Sequence, residues 1–244
     1  MRFLALIKLN IMEIVMSTSN KGFSIALLFG VAAALSGCGE STDELDDKLT
    51  HQANMSFINS LDYMADFHVK KRSISTGYSG LFDSDNIAAG DVEANAVGSR
   101  YNYSYKAINN MINLGVKDSI NANKEERINT TLSNNDDLWV IAWQSSGKRA
   151  LSVIDKKQNN TADVFNVRLF ANGEYDVSID DKKVLTTKKG SVTAFLAVSN
   201  CANGLKVANQ AIDLCAGNFG ASYLLVVETL SEEGQAKEIT LEES

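Results

Sequence analysis

The sequence of 244 residues contains no proline, although average usage would place roughly a dozen in a chain of this length. This absence excludes polyproline linkers, proline-fixed turns and cis-proline bonds. The turns must therefore be made by asparagine, glycine, aspartate and serine. Glycine accepts positive φ angles, and the other three can form hydrogen bonds from their side chains to the nearby backbone. Apolar residues nevertheless make up 45% of the chain, so it can bury a sizeable core and is too apolar to be disordered throughout.

Histidine is scarce, and no catalytic motif is recognisable. His51 and His68 are the two histidines of the sequence, too few for a zinc site of the usual kind. The segment Gly77-Tyr78-Ser79-Gly80 lacks the fifth residue of a nucleophile elbow. The sequence therefore predicts a protein that is not an enzyme and carries no cofactor. A hydrolase with a dispersed carboxylate site is the weakest alternative.

The amino-terminal region has the three parts of an export signal. Lys21 provides the positive charge, and the apolar run from Phe23 to Leu35 is too short to span a bilayer comfortably. The next residues complete Leu35-Ser36-Gly37-Cys38, which resembles the lipobox of bacterial lipoproteins. The resemblance implies that the Cys38 sulfur is diacylated and that residues 1–37 are removed. Two or three acyl chains hold a protein on a membrane essentially permanently.

The residue after Cys38 indicates which of the two bacterial membranes would hold the anchor. Gly39 occupies the position at which an aspartate, in enteric lipoproteins, signals retention in the inner membrane. The resemblance thus implies an anchor in the outer membrane, facing the periplasm. The alternative is an unmodified Cys38 that ends an ordinary signal or anchor helix. Residues 38–52 are predicted to form an acidic tether.

The net charge of the chain after removal of residues 1–37 limits the classes of partner that it is expected to bind. Residues 1–37 carry three of the 23 basic residues and one of the 30 acidic residues, so the remainder has a net charge of −9. This acidity argues against nucleic acid as a partner and against electrostatic docking on anionic lipid. We expect the lipid to hold the protein on the membrane in spite of its charge.

Two cysteines remain once Cys38 is lipidated. Cys201 and Cys215 form an even pair in a compartment that permits disulfides, and we predict that they are bridged. The loop of about fifteen residues would contribute roughly 3 kcal/mol of stability. A catalytic or metal-binding thiol pair is the alternative, although the Cys-x-x-Cys spacing is missing. The segment between the cysteines is the best candidate for a helix.

The rest of the chain consists of short apolar alternations between Asn, Asp, Gly and Ser clusters, a pattern typical of all-β proteins. Asn172-Gly173 predicts a two-residue hairpin turn between two alternating segments. Leu138–Trp143 is apolar at every position, which predicts a strand buried on both faces. The predicted strands are Ser56–Leu61, Phe67–Lys70, Tyr101–Ile108, Met111–Val116, Leu138–Trp143, Leu151–Ile154, Val164–Phe170, Tyr175–Ile179, Val192–Val198 and Tyr223–Leu230.

An internal repeat is visible when Phe57–Val69 is aligned without gaps on Phe165–Val177. A phenylalanine, a leucine, an acid-aromatic pair and a valine recur at equal spacing. Chance similarity of two amphipathic strands is the alternative. The pattern predicts two β-sandwich domains, 53–155 and 160–244, separated by a charged and amide-rich stretch.

These hairpins carry a second resemblance. An opening strand, a short turn and an acid-aromatic-x-valine second strand resemble the first hairpin of uncharacterised bacterial lipoprotein domains. The resemblance implies tandem immunoglobulin-like (transthyretin-like) antiparallel β-sandwiches and a location in the cell envelope, with no established activity. The sequence departs from that family in lacking the proline that commonly follows the first strand.

Two groups of residues are candidates for binding. Tyr101, Tyr103 and Tyr105 recur at period two on one face of a predicted strand, as a sugar-stacking row, a protein contact or core packing would. Asp83, Asp85, Asp91 and Glu93 could supply oxygen ligands for calcium, although their spacing is not that of an EF-hand; a solvated loop is the alternative.

The leading functional expectation is a non-enzymatic binding or assembly module of the cell envelope. A membrane bound through the lipid and an envelope protein bound at an edge strand are the expected partners. The alternative is a periplasmic module that binds a glycan or calcium.

Overall fold

A computed structural model describes residues 49–121, 124–229 and 236–243. Within these ranges the chain forms seventeen β-strands and two 3-10 helices of three residues each. The predicted all-β class is therefore confirmed. The export signal, Cys38 and all but the last four residues of the predicted tether lie outside the described residues.

Eight strands make up the first half of the described chain, arranged in two sheets. One sheet has the order β4-β1-β7-β8 and the other the order β3-β2-β5-β6. Inward-facing residues such as Phe57 and Phe67, whose rings lie 5.0 Å apart, form a shared core between the sheets. The strands are β1 (Thr50–Asn59), β2 (Ala65–Lys71), β3 (Ile87–Val92), β4 (Ala96–Lys106), β5 (Met111–Asp118), β6 (Glu125–Thr131), β7 (Asp136–Ser145) and β8 (Lys148–Asp155).

The second half also forms two sheets around a core of its own. Their orders are β12-β9-β16-β17, with β13 also paired to β9, and β11-β10-β14-β15. Val167, Leu169 and Leu225 are fully buried between them. The strands are β9 (Phe165–Ala171), β10 (Asp176–Ile179), β11 (Lys182–Thr186), β12 (Ser191–Val192), β13 (Leu196–Val198), β14 (Leu205–Val207), β15 (Gln210–Ile212), β16 (Ser222–Thr229) and β17 (Ala236–Glu242).

The order of strands is the same in the two halves when β12 and β13, which both pair with β9, are counted as one strand. In both, the first strand of the half pairs with the penultimate one, and this central pair is parallel, with Phe57 opposite Val140 and Leu169 opposite Leu225. The predicted antiparallel sandwich thus contains one parallel pair in each half. Strands that meet after a long crossover, unlike strands joined by a hairpin, are free to run in the same direction.

The structure also gives the spacing of the repeat. The parallel ladders end at Asn59 opposite Ala142 and at Ala171 opposite Val227. Matching these ends places Ala171 on Asn59, an offset of 112 residues, whereas the gapless alignment placed Phe165 on Phe57, an offset of 108. For β1 and β9, the match of the ladder ends therefore differs from the gapless alignment by four residues. A shift by an even number preserves the inward and outward alternation of a strand, so periodicity alone does not distinguish the two offsets.

Two local predictions are wrong. Asn172-Gly173 does not form a hairpin, because β9 and β10 belong to different sheets and the dipeptide crosses between them. The segment between the cysteines is the β14–β15 hairpin rather than a helix. Its turn residues Ala208 and Asn209 have φ angles of 50° and 67°. Leu205 and Val207 bury their side chains in the second core. Helix propensity does not include the stability gained from this burial, so it did not predict the hairpin.

A third apolar cluster joins the two halves. Trp139 and Trp143, on the face of β7 that points away from the first core, pack with Phe170 and Leu224. The Trp143 and Phe170 rings meet edge to face at 5.9 Å. Leu138–Trp143 is buried at every position, which confirms the prediction for this strand. The division into domains 53–155 and 160–244 stays a prediction.

Candidate binding surface

The tyrosine row lies on β4, an edge strand that pairs with β1 in its sheet. The rings of Tyr101 and Tyr103 are 6.3 Å apart, and those of Tyr103 and Tyr105 are 6.1 Å apart and nearly parallel. All three pack against the first core, with Tyr105 buried and the other two half-buried. Burial raises the pKa of the Tyr103 and Tyr105 hydroxyls. The row therefore contributes to the core and keeps part of its surface accessible.

Two of these tyrosines line a cavity where β4 ends. The cavity has a volume of about 290 Å³, and Tyr103 and Tyr105 form its aromatic wall. Lys71, from the end of β2, and Lys106, from the end of β4, supply positive charge beside it. Lys106 donates a hydrogen bond to the Thr50 hydroxyl at 2.9 Å. The structure thus joins two members of the predicted row to basic residues that the sequence did not connect with them.

A wider depression of about 800 Å³ lies next to this cavity and shares Lys71 and Asn109 with it. Its lining includes Ile74, Ile108 and Met111, whose side chains are exposed. Ile74 lies in a loop, Ile108 in the 3-10 helix Ala107–Asn109 and Met111 at the start of β5, so the three residues belong to no single periodic pattern. Sequence reasoning consequently missed them.

The four acidic candidates for calcium are not brought together. Asp83 and Asp85 belong to the loop at the 3-10 helix Ser84–Asn86, whereas Asp91 is in β3. The backbone N–H of Asp91 donates to the Asp66 carboxylate at 2.8 Å. Among the described residues, no group of three or more His, Cys, Asp or Glu side chains could hold a metal ion. Glu93, after the end of β3, is exposed and belongs to no such group either.

Cys201 and Cys215 form the predicted disulfide. The bridge closes the β14–β15 hairpin at its open end, and Cys201 packs against the second core. The backbone N–H of Leu214 donates to the Cys201 carbonyl at 2.8 Å. These surroundings make the pair a structural crosslink between the ends of one hairpin.

Comparison with known proteins does not identify the function of this surface, so we interpret it from its own residues. No protein-family model and no curated protein matches the chain. Within residues 49–121, 124–229 and 236–243, no helix is long and apolar enough to cross a membrane. The chemistry of the surface is aromatic, aliphatic and cationic, which suits binding.

Proposed function

We propose that this protein is a lipoprotein anchored in the outer membrane, facing the periplasm, that acts as a non-enzymatic binding or assembly module of the cell envelope. The observation that carries the proposal is Leu35-Ser36-Gly37-Cys38, followed by an acidic segment and then by a folded all-β body. The acyl chains on Cys38 supply the attachment. The β-sheets supply the surface that meets a partner.

The partner surface that we assign is the outer edge of β4. This strand has eleven residues, the longest of the described strands, and it pairs with β1 along one side in its sheet. Asn102 and Ser104 are exposed on it. Edge strands offer backbone donors and acceptors that an extended segment of another protein can pair with.

Glycan binding is the second candidate function, and Tyr103 carries it. Its ring is half-buried, stacks on Tyr105 and lines the cavity of about 290 Å³. A half-exposed ring beside lysine and asparagine side chains suits a sugar, which offers an apolar face and hydroxyl groups. The calcium alternative gains no support from the described residues.

The anchor is tested by mass spectrometry of the amino-terminal peptide from protein made in bacterial cells. We expect a peptide that begins at Cys38 and carries acyl chains. The matched control is Cys38→Ala, which should leave the precursor uncut and unacylated. An intact, unmodified Cys38 in the parent protein would contradict the proposed anchor.

The partner surface is tested by photo-crosslinking in intact cells. A photoreactive amino acid at Asn102 should yield a discrete crosslinked envelope protein, since this side chain is exposed on the β4 edge. The same group at Lys148, exposed at the start of β8, is the control and should not yield that product. Identical products from both positions would contradict the assignment of β4.

A separate variant distinguishes glycan recognition from core packing. Tyr103→Ala should abolish retention on immobilised envelope glycans if the ring stacks on a sugar, whereas Tyr101→Ala, outside the cavity lining, should retain it. Lower stability with unchanged retention would leave Tyr103 as a core residue and remove the glycan candidate.

A further inference from the structure

Exposed apolar side chains are concentrated at one end of the first sandwich. Ile74 and Ile108 are 99% and 87% exposed, and Leu49 and Met111 are about half exposed. Ile108 belongs both to the wide depression, with Ile74 and Met111, and to a smaller cavity with Leu49. Isolated exposed apolar residues are ordinary, but an adjoining group of four is typical of an interaction surface.

This surface, which we name the apolar end, also carries positive charge. Lys71, Arg72 and Lys106 line the depression and the two cavities next to it. Among the described residues that line these three spaces there is no aspartate or glutamate. The chain as a whole has a net charge of −7, and the segment before Leu49 is acidic, so the positive charge is a local property of the described lining of the apolar end.

The topology places the apolar end at the start of β1, the first described strand after Cys38. Thr50, at the start of β1, pairs with Lys106 at the end of β4, and Lys71, at the end of β2, pairs with Ile112 near the start of β5. Leu49 belongs to the same end and is the eleventh residue after Cys38. Eleven fully extended residues span at most about 40 Å. An anchor at Cys38 therefore limits the distance between Leu49 and the bilayer surface to at most about 40 Å.

We propose that the apolar end is a membrane-docking surface that inserts Ile74 and Ile108 into the lipid interface while Lys71 and Arg72 contact anionic headgroups. The proposal rests on the proposed anchor at Cys38. Aliphatic side chains flanked by lysine and arginine are the combination that binds at an anionic bilayer surface. The net negative charge opposes docking of the protein in other orientations, so the local cations also select the orientation.

The test uses the full chain, purified from bacterial membranes and reconstituted in vesicles of phosphatidylethanolamine and phosphatidylglycerol with or without brominated acyl chains. Ile108→Trp is compared with Ile120→Trp. Ile120 is 84% exposed and follows β5, whereas Ile108 precedes it. The strand β5, whose eight residues span about 23 Å, lies between the two positions in the chain. Trp139 and Trp143 are buried and give both variants the same background.

We expect brominated lipid to lower the added fluorescence of Ile108→Trp at least about twofold and to leave that of Ile120→Trp unchanged, because insertion at the interface brings the indole near the acyl chains. Adding Lys71→Glu and Arg72→Glu should reduce the quenching, whereas Lys148→Glu with Lys182→Glu should not. Ile74→Trp provides a second probe if Ile108→Trp folds poorly.

Several results would overturn the proposal. Equal quenching at positions 108 and 120, or none at either, would show that the apolar end has no special relation to lipid. A blue-shifted but unquenched Trp at 108 would show that protein covers this end, either the acidic segment before Leu49 or a second copy. The mass of the Cys38 peptide in the same sample reports the anchor separately, so failure of the proposed function is distinguished from failure of docking.

Discussion

The guanidinium of Arg168 and the carboxylate of Glu243 form a buried, bidentate ion pair. Arg168 Nε donates to Glu243 Oε2 at 2.9 Å, and Arg168 Nη2 donates to Glu243 Oε1. Trp139 Nε1 donates to the same carboxylate at 3.2 Å, and Arg168 Nη2 also donates to the Asp155 carbonyl at 2.9 Å. The pair thus ties the carboxyl end of the described chain to both halves.

Glu243→Ala should lower the free energy of unfolding by about 3–5 kcal/mol, because Arg168 would be left as an uncompensated buried charge. Glu242→Ala, its exposed neighbour, is the control and should change stability by less than about 0.5 kcal/mol. Urea denaturation measures both. The double variant Arg168→Met with Glu243→Met should lose less free energy of unfolding than Glu243→Ala, because it leaves no unpaired buried charge. Equal stability of the parent and Glu243→Ala would contradict a structural role for the pair.

The disulfide should stabilise the second half through the hairpin that it closes. Cys201→Ser with Cys215→Ser should lower the free energy of unfolding by about 3 kcal/mol, since the crosslink spans 14 residues and restricts the unfolded chain. Reduction of the parent protein with dithiothreitol, followed by urea denaturation, should give a similar loss. An unchanged urea midpoint in both experiments would contradict this expectation.

His68 should make stability depend on pH. It is buried beside Phe82, with ring centroids 5.2 Å apart, and burial is the main factor that lowers its pKa, aided by Lys117 and opposed by Asp66. A histidine with a lowered folded-state pKa binds fewer protons folded than unfolded. Its destabilisation therefore begins as the pH falls through about 6.5 and stops growing below the folded-state pKa.

Urea midpoints at pH 7, 6 and 5 measure this effect. The parent protein should lose stability over this range, and His68→Leu should lose less because it has no group to protonate. His51→Gln, which keeps His68, is the control and should follow the parent. Parallel curves for the parent and His68→Leu would assign the pH dependence to other groups. Asp118 and Asp176 have lowered pKa values, so their contributions are lost at more acidic pH, below about 4.

Phe170→Ala should lower the stability of both halves of the described chain. The side chain is fully buried in the cluster that contains Trp139 and Trp143, and truncation of a buried phenylalanine costs about 3–5 kcal/mol. We expect the tryptophan fluorescence transition to move to lower urea concentration. Phe219→Ala, at a residue that is 57% exposed, should move it much less. A tryptophan transition unaffected by Phe170→Ala would show that the halves unfold without this cluster.

The sequence was most informative where a feature depends on near neighbours. Alternating apolar residues indicated ten strand segments but missed β3, β6, β11, β14, β15 and β17. The continuous apolar run Leu138–Trp143 indicated burial on both faces, and an even cysteine pair indicated the disulfide. The absence of proline placed the turns on small polar residues, as at Ser146-Gly147 and Asp180-Asp181, whose φ angles are all positive. In each case the physical cause is local: side-chain periodicity, a covalent option or a backbone preference.

Features that depend on distant residues were missed or wrong. Asn172-Gly173 is compatible with a hairpin, but Asn172 Nδ2 donates to the Gln144 carbonyl at 2.9 Å and the chain crosses to the other sheet. Arg168 and Glu243 are 75 positions apart, so no local pattern connects them. The apolar end combines single residues from a loop, a 3-10 helix and strand ends, none of which is unusual alone.

The sequence by itself determined the all-β class, the disulfide, the composition of the turns and, through the lipobox, the expectation of a membrane anchor. The tertiary structure alone decided the order of strands in each half, the spacing of the repeat, the cluster between the halves and the placement of the exposed isoleucines beside lysine and arginine. The reason is that periodicity states which face of a strand is buried but not which partner covers it. That choice depends on contacts formed after the chain has closed long loops.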